Sequence, residues 1–463
     1  MIKFGTGGWR AIIADEFTKE NVQILAQAVV ADLEKKEIVI GYDRRFLSDV
    51  AAGWLSEVFA ANGVVVHLIN RAAPTPLIMF ATRELDLDYG LAVTASHNPA
   101  IYNGVKVFTK GGRDATEDVT QTLQGHIDQG LEVKVMPYDK ALEAGLIKIH
   151  NPQNDYLDSI LEFVDGDAIK KANLRVLVDT MYGVSKTSLS ILLNTTRCDV
   201  DIINDRHDTL FGGKLPSPES STLHKLADLV KENDYNMGIA TDGDADRIGI
   251  IDENGRFIHP NLLLALIYEY LLVEKGWKGS VVRNLSTTHL LDRIAEKHGQ
   301  FAIETPVGFK HITENMDKYD AIIGGESSGG LTISGHIKGK DGIFAAMLLV
   351  EMVAVTGKQI GQLVNELYSE YGSLYNEERD YSFSQEKKDL IIDQLFDKKE
   401  VPVFYLEIDR VSYMDGIKIY FKNNAWISAR FSGTEPLLRI FAESGQLDET
   451  LALIKVMETF LDL

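Results

Sequence analysis

The chain has 463 residues, 45% of them hydrophobic and 25% charged, enough to bury several cores, with one domain per roughly 150 residues as the starting expectation. Its 47 basic residues against 68 acidic ones leave a net charge of -21; this argues against nucleic acid or an anionic membrane as a partner, since both reward basic surfaces, and obliges any anionic substrate to find a local basic pocket. Cys198 is the only cysteine, so an intrachain disulfide is excluded and a reducing, cytoplasmic setting is expected.

Met1 to Arg10 has no apolar signal core, and the longest apolar stretch, near Phe344 to Val355, is broken by Glu351. That is well short of the roughly 18 residues a membrane span needs, so neither secretion nor a span is expected. Gly5, Gly7 and Gly8 around Thr6 lack the Gly-Lys-Ser/Thr ending of a Walker loop, and Arg10 is the cation there. A helical stretch from Asn21 to Lys35 precedes a strand, Ile38-Val39-Ile40, that runs into Asp43-Arg44-Arg45. Further on, Leu91-Ala92-Val93 leads into Thr94-Ala95-Ser96-His97-Asn98-Pro99. This pattern reads as an exposed serine hydroxyl on a strand-to-loop edge. Most serines at strand ends only stabilise turns. Here His97 and Asn98 add polar groups, Pro99 fixes the loop, and Lys106 brings a cation that could hold a phosphate or move a proton.

The next strand, Arg175-Val176-Leu177-Val178, ends in Asp179-Thr180. It is followed, 146 residues after Ser96, by Asp242-Gly243-Asp244-Ala245-Asp246 beside the cation Arg247. A calcium loop would need Gly at its sixth position, where Arg247 stands, and an exiting helix where Ile248-Gly249-Ile250-Ile251 reads as a strand. Three carboxylates in so tight a loop repel one another unless a divalent ion compensates, and hard oxygen donors favour Mg²⁺. A third segment has a helix from Leu262 to Glu274, a strand Ser280-Val281-Val282 running into Asn284, and the loop Glu326-Ser327-Ser328-Gly329-Gly330. A carboxylate and hydroxyls between glycines suit the hydroxyls of a sugar.

Tyr89, Tyr235 and Tyr319 each stand seven residues before Ser96, Asp242 and Glu326. With the repeated order of helix, apolar strand and polar loop, this predicts a diverged internal repeat and α/β layers whose strand ends build sites. After a linker at Tyr371-Gly372-Ser373 the pattern changes. A helix from Lys387 to Phe396 is followed by strands at Tyr405 to Arg410, Gly416 to Phe421, Trp426 to Arg430 and Leu438 to Glu443, and by a closing helix from Asp448. Close spacing predicts antiparallel pairing in a smaller α+β unit. Arg430-Phe431-Ser432-Gly433-Thr434-Glu435-Pro436, with Arg439, gathers a guanidinium, hydroxyls and a glycine amide into a phosphate cradle. A nucleophile, a metal loop and a cradle together point to phosphoryl transfer.

Taken in order, GTGGWR, TASHNP, DGDADR, GESSGG and RFSGTEP resemble the signature loops of the α-D-phosphohexomutase family, which includes phosphoglucomutases and phosphomannomutases. The resemblance spans residues 5 to 443. It implies an α/β fold of three related α/β domains with mixed sheets plus a smaller C-terminal α+β domain around a central cleft. The expected divisions are 1–150, 151–253, 254–370 and 371–463. It further implies that Ser96 carries the phosphoryl group, that Asp242, Asp244 and Asp246 hold Mg²⁺, and that a phosphoryl oxygen on Ser96 completes the metal site. Arg247, Glu326 and Ser328 would bind the sugar. Arg430, Ser432, Gly433, Thr434 and Arg439 would hold the phosphate not being transferred, with Arg10, His97, Lys106 and Lys310 near the reacting groups. The implied substrate is a phosphosugar, with a hexose 1,6-bisphosphate as activator.

Two departures from the family pattern stand out: Gly7 replaces a serine, and Ser327 replaces an acidic or variable residue. Gly329-Gly330 and the run from Gly335-His336 to Lys340-Asp341-Gly342 look more like phosphoglucomutases than phosphoglucosamine mutases, which makes glucose phosphate the first expectation and mannose phosphate the next. A phosphomonoesterase would share the serine and metal but release phosphate, and the sugar loop and distal cradle disfavour it. A non-catalytic sugar-phosphate sensor is disfavoured by retention of Ser96 and all three aspartates.

Overall fold

Four β-sheets follow one another along the chain, each flanked by its own helices. The computed structural model describes residues 2–5, 7–431 and 437–463. The first sheet contains β1 (Gly8–Ile12), β2 (Glu37–Tyr42), β3 (Val65–Ile69), β4 (Tyr89–Val93), β5 (Tyr102–Thr109), β6 (Arg113–Asp114) and β7 (Ile147–His150). The second contains β8 (Arg175–Asp179), β9 (Asp199–Ile203), β10 (Met237–Thr241), β11 (Ile248–Ile251) and β12 (Phe257–Ile258). The third contains β13 (Val281–Asn284), β14 (Ala302–Thr305), β15 (Ile323–Gly325) and β16 (Leu331–Ile333). The fourth contains β17 (Tyr375–Ser382), β18 (Ile408–Ser412), β19 (Ile417–Phe421), β20 (Trp426–Phe431) and β21 (Leu437–Ser444).

The expected repeat is present as topology. In the first sheet β4 pairs in parallel with β2, which pairs in parallel with β3, and antiparallel with β5 on its other side. Strand β10 repeats this with β8, β9 and β11, and β15 repeats it with β13, β14 and β16. The TASHNP, DGDADR and GESSGG loops therefore leave the C-terminal ends of three equivalent strands, the edge at which parallel sheets build sites. Strands β4 and β10 are buried along their whole length, as expected for strands covered on both faces.

One continuous apolar core joins the first three sheets, from Val39 and Ile78 through Val176 and Ile239 to Val281 and Ile323. The fourth has a core of its own around Ile417, Ile427, Ile440 and Leu453. It meets the third through buried charge. Lys418 Nζ donates to the Leu285 carbonyl at 2.6 Å and to Glu304 at 2.7 Å, and Arg283 Nη1 donates to Glu304 at 2.6 Å. Glu443 accepts from the His289 amide at 2.8 Å and from Trp426 Nε1 at 2.9 Å.

The fourth sheet is antiparallel throughout, with two departures from expectation. Strand β17 has no apolar signal in the sequence, because YNEERDYS is charged and mostly exposed, the composition of an edge strand that discourages further pairing. At the opposite edge, β18 begins at Ile408 and leaves Tyr405 to Glu407 outside the sheet. Among the described residues no single helix is long and apolar enough to cross a membrane.

Candidate functional site

Ser96 and Asp242 meet at the junction of the first and second sheets, where Ser96 Oγ donates to Asp242 Oδ2 at 2.8 Å. Contrary to expectation the serine is not exposed: 1% of its surface is accessible, because the aspartate loop closes over it. Gly243 permits this approach, since a Cβ there would lie 2.8 Å from the Ser96 carbonyl oxygen. Ser96 adopts a left-handed backbone (φ 52°), a conformation costing of the order of 1–3 kcal/mol in a non-glycine residue.

Arg45 holds that turn in place. Its Nη2 donates to the carbonyls of Ser96 and Asn98, both at 2.6 Å, and its Nη1 donates to those of Pro99 at 2.9 Å and Tyr102 at 3.0 Å. Asp43, 3.5 Å from Arg45 Nε, accepts in turn from Thr94 Oγ1 at 2.6 Å and Ser48 Oγ at 2.7 Å.

Ligand oxygens of Asp242, Asp244 and Asp246 all lie within 4.8 Å of one another and are buried. Lys106 Nζ bridges Asp244 at 2.7 Å and Asp246 at 2.6 Å, while Thr75 Oγ1 donates to Asp244 at 2.7 Å and Lys340 Nζ stands 3.1 Å from Asp246. Burial, then Asp244 and Asp246, raise the Asp242 carboxyl well above the usual carboxylate range. Burial pushes Asp246 the same way, but Lys106, Lys340 and Arg247 outweigh it and hold that carboxyl well below. Asp244 Oδ1 and Asp246 Oδ1 are buried with no hydrogen-bond partner among the described residues. Hard oxygen donors, two of them unsatisfied among the described residues, in a buried cluster of three like charges, fit a divalent cation such as Mg²⁺.

In front of this pair of loops lies a cleft of about 560 Å³ to which all four sheets contribute. Arg10, His97, Lys106, Arg247, Lys310, Glu326, Ser328, Arg430 and Arg439 all line it, whereas Ser96 and the three aspartates are buried behind its wall, in contact with His97 and Lys106. Ser432, Gly433 and Thr434 lie outside the described residues. Among the described residues the lining carries eight Lys and Arg against three Asp and Glu. That is the local basic pocket a chain of net charge -21 requires for an anionic substrate.

His97 Nδ1 stands 3.4 Å from Ser96 Oγ. Burial, then Arg247, Arg10 and Lys340, push its pKa well below the usual histidine value, so the ring is neutral at pH 7. Arg10 Nη1 donates to Asn98 Oδ1 at 2.7 Å. On the third sheet, Glu326 Oε1 accepts from Asn284 Nδ2 and from the Gly308 amide, each at 3.2 Å, and Ser328 Oγ is buried without a partner among the described residues. Arg430 and Arg439 face each other across the β20–β21 ladder. Arg430 Nε pairs with Asp415 at 2.8 Å and Arg439 Nε with Asp380 at 3.3 Å. Lys310 lies 3.5 Å from Glu117. Thr75, Asn284, Lys340 and Asp415 carry no local signal in the sequence that marks them as site residues. Arg45 stands in the sequence only as part of a polar strand end, because its targets are carbonyls about fifty residues away.

Four family models match consecutive stretches of the chain. They are the phosphoglucomutase/phosphomannomutase alpha/beta/alpha domains I (residues 1–134), II (154–255) and III (259–371) and the C-terminal domain (386–459). The chain therefore belongs to the phosphoglucomutase/phosphomannomutase family, a class of isomerases that act as phosphohexomutases by phosphoryl transfer. It is 32% identical to a phosphoglucomutase/phosphomannomutase of Thermococcus kodakarensis, over 95% of this chain and 94% of that protein. It is 31% identical to a "probable phosphoglucosamine mutase" of Pyrococcus horikoshii, over 98% and 96%. A crystal structure of a "putative phosphomannomutase" from Thermus thermophilus superposes with a TM-score of 0.88 at 30% identity, covering 100% of this chain and 99% of that one.

Proposed function

We propose that this chain interconverts a hexose 1-phosphate and the corresponding 6-phosphate, glucose first, through phospho-Ser96 and a hexose 1,6-bisphosphate. The observation that carries the proposal is the junction of Ser96 with the aspartate triad, buried behind the His97, Lys106 and Arg247 wall of a basic cleft to which all four sheets contribute. The free hydroxyl of the substrate attacks the phosphorus on Ser96, and the bond from phosphorus to Ser96 Oγ breaks. The proton lost by the attacking hydroxyl ends on Ser96 Oγ. Neutral His97, 3.4 Å from that oxygen, is placed to carry it. The bisphosphate then turns over and returns its other phosphoryl group to the serine, so no phosphate is lost.

Asp242, Asp244 and Asp246 would hold Mg²⁺, which when bound withdraws charge from the transferring oxygens, the main electrostatic demand of such a transition state. A structural relative, an N-acetylphosphoglucosamine mutase of Aspergillus fumigatus, was crystallised with GlcNAc-6P and magnesium. Lys106, fixed as an ammonium between two carboxylates, and Arg10 add positive charge beside the reacting oxygens. Arg430 and Arg439, with Ser432, Gly433 and Thr434, hold the distal phosphate. Arg247, Glu326 and Ser328 read the sugar, Glu326 presenting its second oxygen because Asn284 and the Gly308 amide occupy the first. Mannose phosphate is the second reading, favoured by the double name of the Thermococcus relative.

The test is turnover of glucose, mannose and glucosamine 1-phosphates by the purified protein with Mg²⁺ and a trace of the matching bisphosphate. Ser96→Ala should abolish it. Wild-type turnover by that variant would refute the assignment of the nucleophile.

A further inference from the structure

Asp415 sits in the turn between β18 and β19 and uses one oxygen, Oδ2, to accept two hydrogen bonds from different sheets. Arg430 Nε of the fourth sheet donates to it at 2.8 Å, and the Val307 amide of the third at 2.9 Å. The turn is pressed against its arginine: at Gly416 (φ 79°) a Cβ would come within 2.5 Å of the Ala429 carbonyl oxygen and 3.0 Å of Arg430 Cα. The next amide along from Val307, that of Gly308, donates to Glu326 at 3.2 Å. Lys310 lies in the first turn of the helix that follows. One peptide step thus joins the arm that holds Arg430 to the arm that holds Glu326.

We infer that Asp415 is a positioning residue that couples the phosphate-gripping arginine of the fourth sheet to the Val307–Gly308 turn supporting Glu326. Because Nε of Arg430 is taken, the guanidinium is oriented by Asp415, and its two terminal nitrogens have no hydrogen-bond partner among the described residues, which suits the planar fork to a phosphate. The Asp415–Arg430 bond stays within one sheet, whereas the Asp415–Val307 bond spans two. Any swing of the fourth unit away from the third keeps the first and breaks the second. Arg430 therefore stays oriented by Asp415 when the fourth unit moves, whereas the Val307–Gly308 turn that supports Glu326 gains this anchor only when that unit sits against the third. This rests on the proposed mutase reading for its kinetic consequence but not for its structural one.

The experiment compares full-length wild type, Asp415→Ala and Asp415→Asn. Asparagine can still accept from the Val307 amide but lacks the charge that faces Arg430. With glucose 1-phosphate, Mg²⁺ and trace bisphosphate, Asp415→Ala should raise KM roughly tenfold or more, the scale of a lost charge-assisted hydrogen bond, with kcat little changed. Asp415→Asn should fall between. Hydrogen exchange at the Val307 amide should quicken in Asp415→Ala and much less in Asp415→Asn. Unchanged KM together with unchanged exchange at Val307 would overturn the inference, as would a loss of kcat without a rise in KM. If wild type turns over no hexose phosphate, the mutase reading fails and the exchange measurement alone decides the role of Asp415.

Discussion

Arg45 donates to the carbonyl of Ser96 at 2.6 Å from a guanidinium on a residue that is itself 2% exposed. A buried cation thus holds the backbone of the proposed nucleophile from below. Arg45→Lys keeps the charge and loses the fork that spans four carbonyls, so phosphoryl transfer should slow by at least about tenfold at modest cost in stability. Arg45→Met leaves Asp43 buried and unpaired, which should destabilise the fold by about 3–5 kcal/mol. Single-turnover transfer rates and thermal unfolding of the two variants separate these effects.

Gly243→Ala adds one methyl group where the Ser96 carbonyl stands 2.8 Å away. Neither backbone can yield without parting the two loops, so kcat should fall far more than the unfolding midpoint does. A variant with normal kcat would show that the Ser96–Asp242 spacing is not critical.

Asp246→Asn removes one of three clustered carboxylates and weakens the hold of Lys106. Calorimetric Mg²⁺ affinity should drop by roughly tenfold or more, and chelation of the wild type should abolish turnover. The calorimetric reading does not depend on activity and so tests the metal site directly.

The interface between the third and fourth sheets should weaken in acid. Burial, then Arg283 and Lys418, push His289 down to about 4 from its ordinary 6.5. Between those values the unfolded chain binds a proton that the folded protein refuses, so stability falls as pH drops from 6.5 to 4, by about 3 kcal/mol at full extent. Glu304 is also held below its ordinary range, because His289, Arg283 and Lys418 outweigh its burial. It acts in the same direction below pH 4.5. Lys418, pushed down to about 7 by burial and Arg283, titrates above this window. The unfolding midpoint measured from pH 7 to 4 should lose part of its slope in His289→Gln.

The strands of the first three units were legible because Ile38 to Ile40, Leu91 to Val93, Val176 to Val178 and Val281-Val282 are apolar runs that end in polar segments. Such loops announce themselves only when a short segment holds its own chemistry, as DGDADR does. Arg45 and Asp415 act on carbonyls, amides and side chains brought close by the fold, and no spacing in the sequence encodes that. Strand β17 hid for the opposite reason, since its charges suit an edge and mimic a loop. The seven-residue interval from tyrosine to site residue pointed to the right repeat through unequal positions: Tyr89 opens β4, Tyr235 precedes β10 by two residues, and Tyr319 ends a helix. What recurs is the order and direction of the strands.

Lys106 gives the protein a resident counter-ion. Lying between Asp244 and Asp246, its ammonium offsets much of the repulsion that would otherwise force this loop apart whenever the cation is missing. A stripped enzyme should therefore keep its shape in storage and recover on adding magnesium back, without having to refold.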